Sequence, residues 1–246
     1  MEDVARALAR SSNAIAFTGA GISADSGVPT FRGPGGLWER YRPEELATPE
    51  AFARDPALVW RWYRWRQEVI YRAGPNPAHY ALAELERLGV IKAVVTQNVD
   101  GLHSRAGSRR VIELHGNIWR LRCVKCGHEE IAEKPVEEIP PRCPRCGGLM
   151  RPGVVWFGEP LPSEAWEEAV ALASSADFVL VVGTSGVVYP AAYLPAIAKR
   201  NGALIAVVDP NKTALDDIAD FKIEGRAAEV LPRLVEKVRD VLRGGV

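Results

Sequence analysis

The chain has 246 residues, of which 47% are hydrophobic and 25% are charged. This composition is typical of a globular protein with one sizeable core, or with a main domain and a smaller lobe, and it excludes disordered and fibrous chains. Lys and Arg number 31 in total, as do Asp and Glu, so the net charge provides no general attraction to nucleic acid or to anionic membranes.

No apolar run approaches the roughly 20 residues that a membrane-spanning helix needs. The first residues, Met1-Glu-Asp-Val-Ala-Arg6, mix acidic and basic side chains and lack the apolar stretch of a secretion signal. We therefore expect a cytoplasmic protein that does not bind a membrane.

Short apolar runs rich in β-branched residues alternate with helical patterns along the chain. The runs occupy residues 14–18, 93–96, 111–114, 178–182 and 204–208. The helical patterns occupy residues 77–88, 163–174, 191–200 and 227–242. This alternation, with strands that are apolar on both faces, predicts an α/β fold with a doubly wound parallel sheet.

Two segments interrupt the alternation. Residues 33–73 are helical and rich in Trp, Tyr and Arg, whereas residues 119–154 contain all the cysteines and show little periodicity. We interpret the two segments as one small lobe that is inserted twice into the main fold. The predicted main domain then comprises residues 1–32, 74–118 and 155–246, and the small domain comprises the helical module 33–73 and the cysteine module 119–154.

The four cysteines form two Cys-x-x-Cys pairs, Cys123/Cys126 and Cys143/Cys146. Four thiolates with this spacing can surround one Zn²⁺ tetrahedrally. Two disulfides or a redox-active pair are the alternatives, but a reducing compartment disfavours the disulfides, and the presence of two pairs disfavours the redox site. Because four sulfur ligands leave no open position, we expect the zinc to be structural.

Polar residues follow five of the predicted strands. The strand ends read Thr18-Gly-Ala-Gly21, Thr96-Gln-Asn-Val-Asp100, Leu114-His-Gly116, Val182-Gly-Thr-Ser185 and Val208-Asp-Pro-Asn211. Since ligands of open α/β sheets bind beyond the carboxyl ends of the strands, this predicts a polar ligand site. The run Gly19-Ala-Gly-Ile-Ser-Ala24 fits a dinucleotide fingerprint. A loop stands where a dehydrogenase places its second strand and ribose-binding acid, so we do not expect hydride transfer.

These motifs together resemble those of the sirtuins, which are NAD-dependent protein lysine deacylases. The resemblance rests on Gly19 to Gly33, Thr96 to His103, Glu113-Leu-His-Gly116, the four cysteines, Phe157-Gly-Glu159 and Gly183-Thr-Ser185, in that order along the chain. It implies a Rossmann-like large domain, a small domain with a helical module and a zinc ribbon, and a cleft between them for NAD and an acyl-lysine peptide. In this family the acyl group passes from lysine to ADP-ribose, and nicotinamide is released.

The resemblance also implies roles for individual residues. His115 matches the catalytic base, and Asn98 and Asp100 match residues that hold the nicotinamide end for cleavage. His103 is expected to be structural, and His79 and His128 have no expected catalytic role. Further cofactor-binding residues by the same comparison are Gly19, Ala20, Gly21, Asp25, Phe31, Arg32, Gln97, Gly183, Thr184, Ser185, Asp209 and Ala227. For Asp25, a carboxylate stabilised by a helix N-terminus is an equal alternative. Asp209 stands where many sirtuins have an asparagine, and Val99 where isoleucine is usual.

Substrate-binding residues are implied in the same way. The peptide is expected to add as a strand between Val155-Trp-Phe-Gly-Glu159 and Gly186-Val-Val-Tyr189, which gives Val155, Phe157, Gly158, Glu159, Val187 and Tyr189 as contacts. Within residues 57–71, we interpret Leu58, Trp62, Trp65 and Val69 as a core-facing stripe. Tyr63 and Arg66 lie on an adjacent face and resemble the pair by which desuccinylase-type (class III) sirtuins bind an acyl carboxylate, and Ala47 resembles the small residue of their enlarged pocket.

Two other functions remain as alternatives. A zinc-ribbon nucleic-acid binder is suggested by Arg120, Arg122, Lys125, Arg142, Arg145 and Arg151 around the cysteines, although only Trp119 supplies an aromatic side chain there. A protein ADP-ribosyltransferase would use the same cleavage of NAD. We expect removal of succinyl, malonyl and acetyl groups from protein lysines, and the sequence does not indicate an oligomeric state.

Overall fold

Six parallel strands form the main sheet of the computed structural model, which describes residues 1–244. Numbered in chain order, they are β1 (Ala14–Thr18), β2 (Ile91–Thr96), β3 (Val111–Glu113), β7 (Phe178–Val182), β8 (Leu204–Val208) and β9 (Phe221–Ile223). The spatial order is β3-β2-β1-β7-β8-β9, and all neighbours are parallel. The predicted parallel sheet is confirmed, and its strand order reverses at β1.

Helices cover both faces of this sheet. The helices α1 (Glu2–Arg10), α5 (Pro77–Arg87) and α9 (Ala227–Leu242) pack on one face, and α7 (Ser163–Ser175) and α8 (Tyr193–Arg200) pack on the other. Alternate strand residues enter the two cores: Leu180 joins the first, while Val179 and Val181 join the second. The sheet is therefore doubly wound, as predicted. No helix within residues 1–244 is long and apolar enough to cross a membrane.

The small lobe combines a helical part with a three-stranded antiparallel sheet. Its helices are α2 (Pro43–Leu46), α3 (Pro49–Arg54) and α4 (Pro56–Arg72), and its strands are β4 (Gly116–Cys123), β5 (Glu129–Ile131) and β6 (Met150–Val154), in the order β5-β4-β6. Shorter helices comprise α6 (Leu102–Arg105) and 3₁₀ turns at Ala20–Ser26, Leu37–Glu39 and Asp216–Ile218.

The helical part and the cysteine-containing part share one hydrophobic core. Trp60 of α4 packs in the same cluster as Ile118 and Met150, and its indole N–H donates to the Met150 carbonyl at 2.8 Å. Gln67 of α4 donates to the Ile118 carbonyl at 3.0 Å and accepts from the Val136 N–H at 3.0 Å. This shared core supports a single small lobe. Strand β4 crosses the predicted boundary at 118/119, and the division at residues 32/33, 73/74, 118/119 and 154/155 stays a prediction.

The buried face of α4 differs from the predicted stripe. Leu58 and Trp65 are exposed, at 38% and 36%, whereas Trp62 is buried. The residues of α4 that are buried are Val59, Trp60, Trp62, Tyr63, Arg66, Gln67 and Ile70. The interpretation of Leu58 and Trp65 as core was wrong because two polar residues, Arg66 and Gln67, occupy the inner face, which a count of apolar residues alone does not reveal.

Candidate functional site

The carboxyl ends of β2, β1 and β7 meet where the strand order reverses, which is the position at which open α/β sheets bind ligands. Two buried threonines join the ends of β1 and β2: the Thr18 hydroxyl donates to Thr96 Oγ1 at 2.8 Å. Thr96 Oγ1 also accepts from the Asn98 N–H at 3.0 Å, and His103 Nε2 lies 2.8 Å from Thr18 Oγ1. The expected structural role of His103 therefore consists of a buried contact that supports the site.

The glycine loop after β1 packs directly on the loop after β7. The Gly19 N–H donates to the Val182 carbonyl at 3.0 Å, and the Gly21 N–H donates to the Gly183 carbonyl at 2.8 Å. A Cβ on Gly21 would lie 2.7 Å from Gly183 Cα, and one on Gly183, whose φ is +66°, would lie 2.4 Å from the Ile22 nitrogen. The glycines are thus required for contact between the two loops, in addition to any approach of a ligand.

Gln97 and Asn98 are held by the same two loops. The Gln97 amide donates to Thr184 Oγ1 at 3.0 Å, and the Asn98 amide donates to the Gly19 carbonyl at 3.0 Å. Asn98 and Thr184 are buried. The structure therefore places these three predicted cofactor residues together with the glycine loop.

Asp100 ends a buried chain of hydrogen bonds. Its carboxylate accepts from the Ser23 hydroxyl at 2.7 Å and from the Leu102 N–H at 3.0 Å. Ser23 Oγ lies 3.2 Å from His79 Nε2, and His79 Nδ1 accepts from the Asn76 N–H at 3.0 Å. Since Nδ1 accepts, the proton of neutral His79 resides on Nε2, which donates to Ser23. Sequence analysis gave His79 no role, and the structure connects it to Asp100.

His115 follows β3 and is held through one ring nitrogen. Its Nδ1 lies 3.1 Å from the Gln97 carbonyl oxygen, which can only accept, so Nδ1 carries the proton and Nε2 has a free lone pair. Burial lowers the pKa of His115 below its ordinary value, and the bond to the Gln97 carbonyl opposes this shift in part. The imidazole is therefore neutral near pH 7 and can accept a proton at Nε2.

The other predicted cofactor residues are spread around this rim. Ala20 begins the 3₁₀ turn after Gly19, Ser185 and Arg32 are exposed, and the Phe31 ring packs 5.3 Å from that of Trp38. The buried Asp209 accepts from the Asn211 N–H at 2.8 Å, and burial raises the pKa of its carboxyl.

Asp25 and Ala227 have other surroundings than the sequence suggested. Asp25 is the sixth residue of the turn Ala20–Ser26 and pairs with Arg226, so the alternative of a carboxylate at a helix N-terminus does not apply. Ala227 begins α9 and its side chain lies in the core between α9 and the sheet. Contact of either residue with a cofactor stays a prediction.

Tyr63 and Arg66 lie together in the interior of the small lobe. They are 2% and 9% exposed, and the guanidinium carbon of Arg66 lies 4.9 Å from the centroid of the Phe31 ring and 5.4 Å from that of Tyr63. Within residues 1–244, no Asp or Glu forms an ion pair with Arg66. Burial lowers the pKa of Arg66, which nearby Tyr63 and Asp100 offset in part, and burial raises the pKa of Tyr63. A buried cation without an anionic partner is a candidate site for an anion.

The segment after β6 joins the two lobes through backbone bonds. The Val155 N–H donates to the His115 carbonyl at 2.8 Å, and the Phe157 N–H donates to the Ala47 carbonyl at 3.0 Å. The Trp156 N–H donates to Glu159 Oε1 at 2.9 Å. Three successive N–H groups of this segment are thus engaged within the protein.

Glu159 holds this segment to the zinc module. Arg151 donates to both of its carboxylate oxygens, at 2.9 and 2.8 Å. The Glu159 carboxylate accepts three hydrogen bonds from Arg151 and Trp156, and a contact of Glu159 with the substrate stays a prediction. By contrast, Phe157, Val187 and Tyr189 are exposed, at 44%, 47% and 59%, and are available to a peptide.

The four cysteines converge as the spacing predicted. Their sulfurs all lie within 4.8 Å of one another, with Cys123 and Cys146 at 3.5 Å and Cys126 and Cys143 at 3.6 Å. A tetrahedron with Zn–S bonds of about 2.3 Å has edges of about 3.8 Å, so the four thiols fit one Zn²⁺.

Backbone N–H groups point at these sulfurs. Lys125 and Cys126 donate to Cys123 Sγ, Arg145 donates to Cys143 Sγ, and Gly148 donates to Cys146 Sγ, each at 3.4 Å. The bonds from Cys126 and Lys125 help to lower the pKa of Cys123 to about 6. The lowered pKa favours the thiolate form of Cys123, whereas the contact with Cys123 helps to raise the pKa of the neighbouring Cys146 to about 11.

The basic residues around the cysteines differ in exposure: Arg122, Lys125, Arg142 and Arg145 are exposed, and Arg120 is half-buried. Arg151 is buried in its pair with Glu159, and Arg122 lies opposite Glu129 on the neighbouring strand.

Comparison with known proteins identifies close relatives over the whole chain. The model of the Sir2 family matches residues 19–190. A protein of Pyrobaculum aerophilum named NAD-dependent protein deacylase 2 is 70% identical over 241 residues, which cover 98% of this chain and 97% of that protein.

Solved structures of Sir2 homologues have the same fold as this chain. A Sir2 homologue described as an S24A mutant–ADP ribose complex has a TM-score of 0.97 and 52% identity, with coverage of 99% of this chain and 98% of that one. A Sir2 structure with a p53 peptide and NAD⁺ has a TM-score of 0.86 and 39% identity, with coverage of 96% and 98%.

Proposed function

The chain belongs to the Sir2 family and is an NAD-dependent protein deacylase, and we propose that it removes succinyl and malonyl groups, as well as acetyl groups, from protein lysines. The products are nicotinamide, O-acyl-ADP-ribose and the free lysine. One observation carries the acyl preference: Arg66 is a buried cation without an acidic partner in residues 1–244, and Tyr63 is beside it.

The rim of the main sheet fits NAD. Because Gly19, Gly21 and Gly183 leave no room for a Cβ, backbone groups of two loops come together without intervening side chains. When bound, NAD supplies a glycosidic bond whose cleavage releases nicotinamide and makes ADP-ribose the acyl acceptor. We assign the phosphates and ribose to the glycine loops, Thr184, Ser185 and Arg32, the adenosine to the vicinity of Asp209, and the nicotinamide end to Asn98, Asp100 and Phe31.

His115 is assigned as the general base. Its free Nε2 accepts a proton from a ribose hydroxyl, while Nδ1 stays bonded to the Gln97 carbonyl and keeps the ring oriented. Since the pKa of His115 is lowered, we expect the acidic limb of kcat/KM to have its midpoint below the ordinary 6.5 of imidazole. A pH profile with an acetyl peptide measures this, and a midpoint above 7 would contradict the assignment.

We call the group formed by Tyr63, Arg66 and the neighbouring Phe31 ring the cage. Two hydrogen-bond donors of the cage, Arg66 and Tyr63, can recognise an acyl carboxylate. Arg66 offers a planar fork suited to paired hydrogen bonds with a carboxylate. The Tyr63 oxygen already accepts from the Trp156 indole N–H at 2.9 Å, so the Tyr63 hydroxyl hydrogen is free to donate. An acyl group that ends in a carboxylate gives both donors an acceptor, whereas an acetyl group gives them none.

The protein substrate is proposed to bind along the segment of residues 155–159. Because the N–H groups of Val155, Trp156 and Phe157 are already engaged, an added peptide strand would pair through the carbonyl groups of this segment. The exposed Phe157, Val187 and Tyr189 supply apolar contacts beside it. Pairing through backbone atoms tolerates many sequences around the acyl-lysine.

The experiment compares acetyl, succinyl and malonyl versions of one lysine peptide with NAD, and quantifies nicotinamide and O-acyl-ADP-ribose by mass spectrometry. Arg66→Met should lower the ratio of succinyl to acetyl kcat/KM about 30-fold, because hydrogen bonds to a charged group contribute about 1.5–3 kcal/mol each. An unchanged ratio would contradict the acyl preference. ADP-ribose attached to a protein, with no loss of acyl groups, would instead indicate ADP-ribosyl transfer.

Arg61 provides the matched control on the same helix. Its side chain is exposed, so Arg61→Met removes an equal charge without touching the cage. We expect each kcat/KM to stay within about twofold, as is usual for surface substitutions.

A further inference from the structure

Three buried indoles lie in the core that the small lobe shares with the segment after β6, and within residues 1–244 one of them lacks a hydrogen-bond acceptor. Trp60 donates to the Met150 carbonyl at 2.8 Å, and Trp156 donates to the Tyr63 oxygen at 2.9 Å. Trp62 is only 6% exposed, yet its Nε1 has no acceptor in the described part of the chain. Folded proteins pair nearly all buried N–H groups, so an unpaired one suggests a partner that is supplied from outside the chain.

Trp62 borders the cage that contains Tyr63 and Arg66. The guanidinium carbon of Arg66 lies 4.9 Å from the centroid of the Trp62 ring, and the Tyr63 ring contacts it edge-on at 4.9 Å. The same indole stacks on Trp38, with the ring centroids 5.7 Å apart. The Trp62 indole is therefore in direct contact with Arg66, the proposed ligand of the acyl carboxylate.

We propose that Trp62 is a specificity-determining residue, whose indole N–H donates to the terminal carboxylate of the acyl group. This inference rests on the proposed function of Tyr63 and Arg66. A carboxylate accepts about four hydrogen bonds. Arg66 can fill two of these positions and Tyr63 one, because the Tyr63 oxygen is already bonded to Trp156. The Trp62 N–H fills the fourth, and an acetyl group offers it no acceptor.

Trp62→Phe tests the proposal, since it keeps an aromatic ring against Trp38 and removes the N–H. We expect the ratio of succinyl to acetyl kcat/KM to fall about tenfold, which corresponds to about 1.4 kcal/mol. Trp38→Phe is the control: it removes an indole N–H from the neighbouring ring of the same stack and should leave the ratio unchanged. A ratio that changes by less than about twofold in Trp62→Phe overturns the proposal.

A second measurement uses the unmodified protein and needs no variant to fold. In a ¹³C,¹⁵N-labelled sample, the indole N–H signal of Trp62 is assigned through its own ring and backbone resonances, because the Trp156 indole N–H is bonded to Tyr63 and would also show nuclear Overhauser effects to the Tyr63 ring. A succinyl-lysine peptide should move this signal downfield, and the acetyl peptide should not. An equal response to both peptides overturns the proposal.

Failure of this inference is distinguishable from failure of the proposed function. If Arg66→Met lowers the succinyl to acetyl ratio and Trp62→Phe does not, the carboxylate site stands and the role of Trp62 is refuted. If neither variant changes the ratio, the carboxylate site itself is refuted, together with the role of Trp62.

Discussion

The ion pair between Arg151 and Glu159 should couple stability to substrate binding. Both Arg151 terminal nitrogens donate to the carboxylate, at 2.9 and 2.8 Å, and the two side chains are 9% and 22% exposed. The guanidinium also lies 3.8 Å from the centroid of the Trp156 ring. Burial raises the pKa of Glu159, but bonds from Arg151 and the Trp156 N–H outweigh this and leave the pKa lowered.

Arg151→Met removes the guanidinium and keeps most of the stem. Breaking a buried pair costs about 3–5 kcal/mol, and because Glu159 retains some exposure, we expect a loss near the lower end, about 3 kcal/mol. Glu159→Gln should cost about 2 kcal/mol, since it leaves the buried guanidinium without its anionic partner. The double variant should lose about 2 kcal/mol less than the sum of the single losses, because the residues are in direct contact.

Urea denaturation of the four proteins at pH 7, followed by circular dichroism, measures these free energies of unfolding. The KM for an acetyl peptide should rise in both single variants, since Glu159 holds the 155–159 segment in place. Additive losses in the double variant, or a loss below about 1 kcal/mol in Arg151→Met, would refute the reasoning.

Three further predictions concern acid stability, metal and backbone. Burial lowers the pKa of His79 to about 4 and that of His103 to about 3. Since both imidazoles protonate near 6.5 when unfolded, the free energy of unfolding should fall by about 3 kcal/mol per histidine between pH 6.5 and 4. Denaturation at a series of pH values measures this fall. In His103→Gln the free energy of unfolding should fall by about half as much over the same pH range, and an unaltered fall would contradict the prediction. Chelation of zinc, or Cys143→Ser, should lower both Tm and deacetylation, because Cys143 shares a core with α4; retention of both would count against a structural metal. Gly183→Ala should lower the free energy of unfolding more than Gly202→Ala. Both glycines have a positive φ, but only at Gly183 would a Cβ lie within 4 Å of other backbone atoms. Equal losses in urea denaturation would contradict this.

The sheet could be predicted because its signals are local. The strands at Ala14–Thr18, Phe178–Val182 and Leu204–Val208 have the predicted bounds. Helix α1 and strand β9 were not predicted, since β9 has only three residues, all half-buried. The zinc site was also predictable, because the spacing within each cysteine pair is set by one tight turn.

The site was predictable in position more than in its contacts. Motifs after the strands located Asn98, Asp100 and His115 at one rim, since the carboxyl ends of parallel strands meet there. The role of His79 was missed because the contact with Asp100 passes through Ser23, which is distant in sequence from both. The one sequence feature that pointed to His79 was the capping box with Asn76, which fixes the orientation of the imidazole ring. The capping box does not reveal that the ring also contacts Ser23.

The place of β1 in the sheet has a consequence for synthesis of the chain. It is the first strand to leave the ribosome, yet it pairs with β2 on one side and with β7 on the other. A nascent chain that ends before residue 178 therefore exposes one entire edge of an apolar strand, which is prone to non-native pairing. We expect truncated products to aggregate, and productive folding to wait until the C-terminal third has been translated.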